Sequence, residues 1–131
     1  MIGLDTDILV RYVMQDDPVQ SATATAWIEE RLTLENPGFI SVVAMAETVW
    51  VLARTYGVAD QDIAATIERL LQADVLVIEN EQEVFAATIV LKENRGSFAD
   101  ALIVALGVGA GCSGTLTFDR RALRLPGFKP A

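Results

Sequence analysis

The amino-acid sequence predicts an α/β fold of three layers (α/β/α), in which a short-stranded, mostly parallel central sheet is covered by helices on both faces. Three observations carry this expectation. Short apolar runs alternate with helical patterns along the chain. Capping residues, glycine and proline stand at the junctions between them. The runs are continuously apolar instead of alternating, as buried parallel strands are. With 131 residues, of which 52% are hydrophobic, the chain suits one domain, 1–131, that buries its core without disulfide or metal staples.

Each element follows from local chemistry. Ile2 to Leu4 is an apolar strand ending at Asp5, after which Thr6 or Asp7 caps a helix carrying Ile8, Leu9, Tyr12 and Val13. Asp17 followed by Pro18 is an N-cap with proline at the first helical position. That helix places Ala22, Ala26, Trp27 and Leu34 inward and stops at Asn36, Pro37 and Gly38. Phe39 and Ile40 form the second strand. Ser41 caps an apolar helix from Val42 to Tyr56, closed by Gly57. Asp60 caps the next, which runs to about Ala73. Val75 to Ile78 is a β-branched, buried strand, followed by a helix from about Glu81 to Asn94. Ser97 with Asp100 three residues on resembles a capping box and opens the helix Ala101 to Ala110. Thr115 to Phe118 is the last clear strand.

Composition excludes much of enzymology. The chain has no histidine and one cysteine, Cys112, so no Cys/His zinc cluster, disulfide or histidine-based triad can form. An enzyme built on this chain must lean on carboxylates, with or without a metal. The lone cysteine fits a reducing, cytoplasmic setting. Asp5 and Asp7 stand where a signal peptide would be apolar, so no export signal is read. The uncharged run from Ala101 to Phe118 contains four glycines, Ser113, Thr115 and Thr117, and reads as helix then strand, not as a membrane span. Gly107, Gly109 and Gly111 close a helix instead of following a strand, which removes a dinucleotide-binding turn. The net charge of -8 opposes a polyanionic partner, but it is unevenly spread. Residues 92–131 hold 6 basic and 3 acidic side chains, with Arg120, Arg121, Arg124 and Lys129 near the C-terminus.

In an open parallel sheet, ligands bind beyond the C-terminal ends of the strands. Asp5 and Asp119 each follow a strand, and Asp100 lies in the first turn of its helix. Glu47 interrupts the apolar run Val42 to Leu52, where an isolated carboxylate is costly unless paired or bound to metal. Together the four suit Mg2+ or Mn2+, hard cations that take carboxylate and water oxygens. Each also has a bland explanation. Asp100 is a helix-dipole partner, Asp119 a turn residue and Asp7 a cap. Glu47 forms a salt bridge to Arg54 or lies exposed on a narrow polar stripe. Trp27, Trp50 and Phe85 read as core, since their neighbours are apolar at helical spacing.

The opening Gly3, Leu4, Asp5, Thr6, Asp7, Ile8, Leu9, Val10, Arg11, Tyr12 resembles that of PIN-domain ribonucleases, specifically the toxin component of VapBC toxin-antitoxin pairs. Ser41, Val42, Val43 through Glu47 resembles the second motif of that family. Phe98, Ala99, Asp100, Ala101, Leu102, Ile103 resembles the third, and Thr117, Phe118, Asp119, Arg120 the fourth. The resemblance implies that Asp5, Glu47, Asp100 and Asp119 are the acidic catalytic positions. Asp5 and Asp100 would be the direct metal ligands, Glu47 and Asp119 would join directly or through water, and Thr6 and Thr117 would be supporting hydroxyls. It further implies Mg2+ or Mn2+ as cofactor, endoribonuclease activity on an RNA substrate, silencing by a small cognate antitoxin, and a homodimer. Two departures stand out. Asp7 occupies a position that is asparagine in many relatives, and Ser97 one that is often acidic, leaving four acidic positions instead of five. Two further readings compete. Asp5, Thr6, Asp7 after a strand resembles haloacid-dehalogenase-type phosphatases, with Asp5 as nucleophile, but Leu9 and the placement of Lys92 and Lys129 fit that family poorly. The other is a degenerate domain that only binds RNA or protein.

Overall fold

In the computed structural model, which describes residues 1–131, helices alternate with short parallel strands as the sequence predicts. Strand β1 (Ile2–Gly3) leads to α1 (Thr6–Met14) and α2 (Pro18–Ala26), which continues into a wide turn, Trp27–Arg31. Strand β2 (Gly38–Ile40) leads to α3 (Val42–Arg54) and α4 (Asp60–Gln72), then β3 (Leu76–Ile78), α5 (Glu81–Lys92) and α6 (Phe98–Gly109). Strand β4 (Thr115–Thr117) and β5 (Phe128–Pro130) complete the chain, separated by a short 3-10 turn at Ala122–Arg124.

All strand pairs are parallel, but they form two sheets. One has the order β1-β2-β3, with Gly38 opposite both Ile2 and Leu76; the other pairs β4 with β5, Thr115 opposite Phe128. No hydrogen-bonded ladder joins β1 to β4, so the expected central sheet is interrupted between them. Strand β5 has no sequence signature, being three residues long and ending in Pro130. Gly38 is required at its place: a Cβ there would stand 2.8 Å from Leu32 Cδ1 and 2.9 Å from Leu4 Cδ1.

Helix α3 packs against α1, α4 and α6, and α5 packs against α4 and α6. Leu9, Ile40, Met45, Leu52, Ile63, Ile67, Val84 and Phe98 are fully buried between these elements. Truncating one such leucine to alanine typically costs about 2–5 kcal/mol. Three buried threonines satisfy their hydroxyls locally: Thr48 donates to the Ala44 carbonyl at 2.7 Å, Thr66 to Asp62 at 2.9 Å and Thr88 to Val84 at 2.7 Å. The inward face of α2 differs from the one expected. Ser21, Ala24 and Ile28 are buried, whereas Ala22 is exposed and Leu34 is 73% exposed. Alanine gives only a weak apolar signal, and the wide turn, closed by the Leu32 N–H donating to the Trp27 carbonyl at 2.9 Å, shifts the helical phase. No helix is long and apolar enough to cross a membrane.

Candidate active site

Asp5 caps α1 itself, in place of the expected Thr6 or Asp7: its backbone is extended and its Oδ1 accepts from the Thr6 N–H at 2.7 Å. Thr6 is buried in the first turn, while Asp7 points to solvent. One oxygen of Asp5 therefore remains open. Ser41 caps α3, accepting from the Ala44 N–H at 3.1 Å, and the Val42 N–H donates to Glu79 Oε1 at 2.9 Å. Two turns along, Glu47 is exposed and makes no ion pair, with Arg54 or any other cation. Its carboxylate keeps its water, so the burial argument for a metal at Glu47 does not hold; Ala44, Met45, Val49 and Leu52 form the buried face of α3, and Glu47 lies with Val43 and Trp50 on the exposed one.

The third and fourth carboxylates are held by turns. Ser97 caps α6, its hydroxyl accepting from the Asp100 N–H at 3.1 Å, and Asp100 is half-buried. The Thr117 hydroxyl accepts from the Asp119 N–H at 3.0 Å, and Asp119 Oδ1 accepts from the Arg121 N–H at 2.8 Å. Thr117 thus fixes the backbone that carries Asp119.

These side chains line two depressions, to both of which α3 contributes. The smaller, about 280 Å³, is lined by Asp5, Thr6, Asp7, Glu47 and Tyr56 among others. The larger groove, about 660 Å³, contains Asp100 and Asp119 together with Ser97, Trp50, Arg54, Arg95, Arg121 and Arg124. Asp5 shares its depression with Glu47, and Asp100 shares its groove with Asp119; Asp5 and Asp100, the expected pair of direct ligands, are not brought into one pocket. Nowhere do three acidic or thiol side chains stand close enough together to form a cage for a metal ion. In donor chemistry the set still fits a hard cation. All four are carboxylates without cationic partners, and Mg2+ is commonly held by one or two carboxylates with water and substrate phosphate.

Two features escaped the sequence reading. Arg11, on the rim of the smaller depression, donates from Nη1 to Asp16 Oδ1 at 3.1 Å and to the Tyr56 hydroxyl at 3.0 Å, and from Nε to Gln20 at 2.8 Å. The Tyr56 hydroxyl donates to Asp16 Oδ2 at 2.6 Å, which holds the Asp16 carboxyl below its ordinary value; the same bond raises Tyr56. Forty residues separate Asp16 from Tyr56, so no local spacing announces the cluster. The second feature is Trp50, expected in the core but 61% exposed beside the larger groove. Phe85 is likewise 52% exposed, and Trp27 is half-buried under the Arg31 guanidinium, 4.8 Å from its ring centre.

With this geometry in place, comparison with known proteins is decisive on one point: the model of the PIN domain family matches residues 2–127. The chain is a member of the PIN domain family. No curated protein matches it. PIN domains are a nuclease-type family of hydrolases that usually work with divalent metals. The matched range contains all four carboxylates, which stand after β1, on α3, in the first turn of α6 and after β4. Membership also sets aside the phosphatase reading of Asp5, Thr6, Asp7.

Proposed function

We propose that this PIN domain is a metal-dependent endoribonuclease, the toxin of a type II toxin-antitoxin pair of the VapBC kind, that hydrolyses RNA phosphodiester bonds in the cytoplasm. The observation that carries the reading is a set of four carboxylates, none of them in an ion pair: Asp5, Asp100 and Asp119 beside the ends of strands and helices, and Glu47 two turns into α3. A bound Mg2+ or Mn2+ would supply a Lewis acid for the scissile phosphate and acidify an attacking water without any histidine. Asp5 and Asp100 are its proposed ligands, with Glu47 and Asp119 acting directly or through water. Thr117 orients Asp119 through its hydroxyl, and the Thr6 hydroxyl is the second proposed support. The toxin role, the small antitoxin partner and a homodimer rest on the resemblance of the four motifs.

RNA cleavage with and without Mg2+ or Mn2+ tests the reading. Asp5→Asn and Asp100→Asn should each lower metal-stimulated cleavage ~100-fold or more, as loss of a group facing developing charge typically does. Undiminished cleavage by both variants would overturn the carboxylate site. RNA binding with no cleavage in any metal would leave a binding module. Sequencing the products identifies the target, and a small reading frame adjacent to this one supports the toxin role.

A further inference from the structure

We infer that Glu79 is a positioning residue for Glu47: from the end of β3 it pins the first turn of α3 and so sets where Glu47 stands relative to Asp5. The inference rests on the metal-dependent reading of those two carboxylates. Val42, the partner of the Glu79 side chain, is 37 residues away, so no motif announces the contact. The Glu79 N–H donates to the Ile40 carbonyl at 2.9 Å, extending the ladder between β2 and β3, and its Oε1 accepts from the Val42 N–H at 2.9 Å. One residue thus grips the chain on both sides of Ser41, the single residue that joins β2 to α3. The pairing of Gly3 with Phe39 and of Phe39 with Val77 carries on to place Asp5, Ser41 and Glu79 side by side at the C-terminal edge of the sheet.

Ser41 and Glu79 do different things at this junction. Ser41 accepts from the Ala44 N–H, so it fixes where the helix starts but travels with it. Glu79 belongs to another strand and fixes where the helix points. Its charge suits the place, because a carboxylate beside helix N-terminal amides makes a charge-assisted bond and faces the positive end of the helix dipole. No ion pair draws it elsewhere. Packing of the buried Met45, Val49 and Leu52 holds α3 as a body, but apolar contacts have no direction. Glu47 lies five residues beyond Val42, roughly 7.5 Å along the helix axis, so a tilt of about 8° at the junction displaces it by ~1 Å. A displacement of that size can cost about 100-fold where reacting groups must be aligned.

The test uses the full chain and reads the metal in two ways: the Mn2+ concentration that gives half-maximal RNA cleavage, and the rise in Tm that Mn2+ produces. Glu79→Ala should raise the first about tenfold and shrink the second, the usual scale for losing a group that orients a metal ligand. Glu79→Gln keeps an oxygen for the Val42 N–H and should restore most of both. Glu79→Asp, a methylene shorter, should behave as Glu79→Ala does and serves if that variant folds poorly. Ile28→Ala, at a buried position in the turn after α2, is the stability control: its Tm without metal should fall while its Mn2+ requirement stays. In a Glu47→Gln background Glu79→Ala should add little, because its effect runs through Glu47. An unchanged Mn2+ requirement in Glu79→Ala, a shift equal to that of Ile28→Ala, or a full further loss on top of Glu47→Gln overturns the inference. No cleavage in any metal, with a Mn2+-induced rise in Tm that Glu79→Ala still blunts, overturns the nuclease reading and leaves the positioning role standing. No response to Mn2+ in either measure overturns both.

Discussion

Asp5 commits one carboxylate oxygen to the first turn of α1 and keeps the other for the depression it shares with Glu47. A group with two jobs of this kind is rigid before any ligand arrives, which is what a precise site needs. Near it, the Arg11, Asp16 and Tyr56 cluster joins the end of α1 to the end of α3 through charged hydrogen bonds. Its pH behaviour follows from the directions of the shifts. Asp16 is lowered, first by the Tyr56 hydrogen bond, so its contribution is present above the ordinary carboxylate value of about 3.9 and is lost as pH falls through the depressed one. Tyr56 is raised, first by the same bond, so its contribution is present below about 10 and is lost as pH rises through the elevated value. Tyr56→Phe should therefore lower Tm by no more than a few degrees between about pH 5 and pH 9, with the difference shrinking at both extremes. Melting curves across that range check it; a difference independent of pH would deny the coupling.

At the scale of elements, the caps of α2, α3 and α6 are legible in the sequence, whereas Asp60 does not cap α4: Ala59 precedes that helix with no side-chain cap and Asp60 already lies in its first turn. Asp17 before Pro18 accepts from the N–H groups of Val19 and Gln20, and Ser41 and Ser97 cap α3 and α6 as their spacing predicts. Ser97 matters twice, because the N–H it binds belongs to Asp100. Ser97→Ala should cost about 1 kcal/mol of stability, the usual value of a serine cap, and should lower cleavage by loosening Asp100. Ser97→Thr should restore both, measured by denaturation and by RNA cleavage; full activity in Ser97→Ala would separate Asp100 from its cap. The elements that sequence reasoning missed are those without local chemistry. The wide turn at Trp27–Arg31 alters helical phase without glycine or proline to mark it, and β5 exists only because β4 lies beside it.

For the molecule as a whole, charge and topology are linked. The acidic N-terminal portion supplies Asp5 and Glu47, while the basic C-terminal portion supplies Arg121 and Arg124 to the groove of Asp100 and Asp119. Uncompensated carboxylates repel one another, so a divalent cation that binds only the folded chain raises its stability by mass action. At a hundred times its dissociation constant the gain is about 2.7 kcal/mol, which for a chain of this size raises Tm by roughly 10 °C. Mn2+ titration followed by melting should show this rise, and Glu47→Gln should blunt it. No shift at millimolar Mn2+ would count against a metal held by these residues.

The sequence by itself determined the α/β class and the caps of α2, α3 and α6, because periodicity and capping act within a few residues of the chain. It could not show that Glu47 keeps its water or that Trp50 turns outward, since both lie in an apolar helix whose inward face depends on the neighbours that α1, α4 and α6 provide. Nor could it show how the carboxylates are grouped. Asp5 shares one depression with Glu47 and Asp100 shares the other with Asp119, while β1 pairs with β2 and β4 with β5. Pairing between segments more than a hundred residues apart depends on the packing of the intervening helices, and no local pattern encodes it.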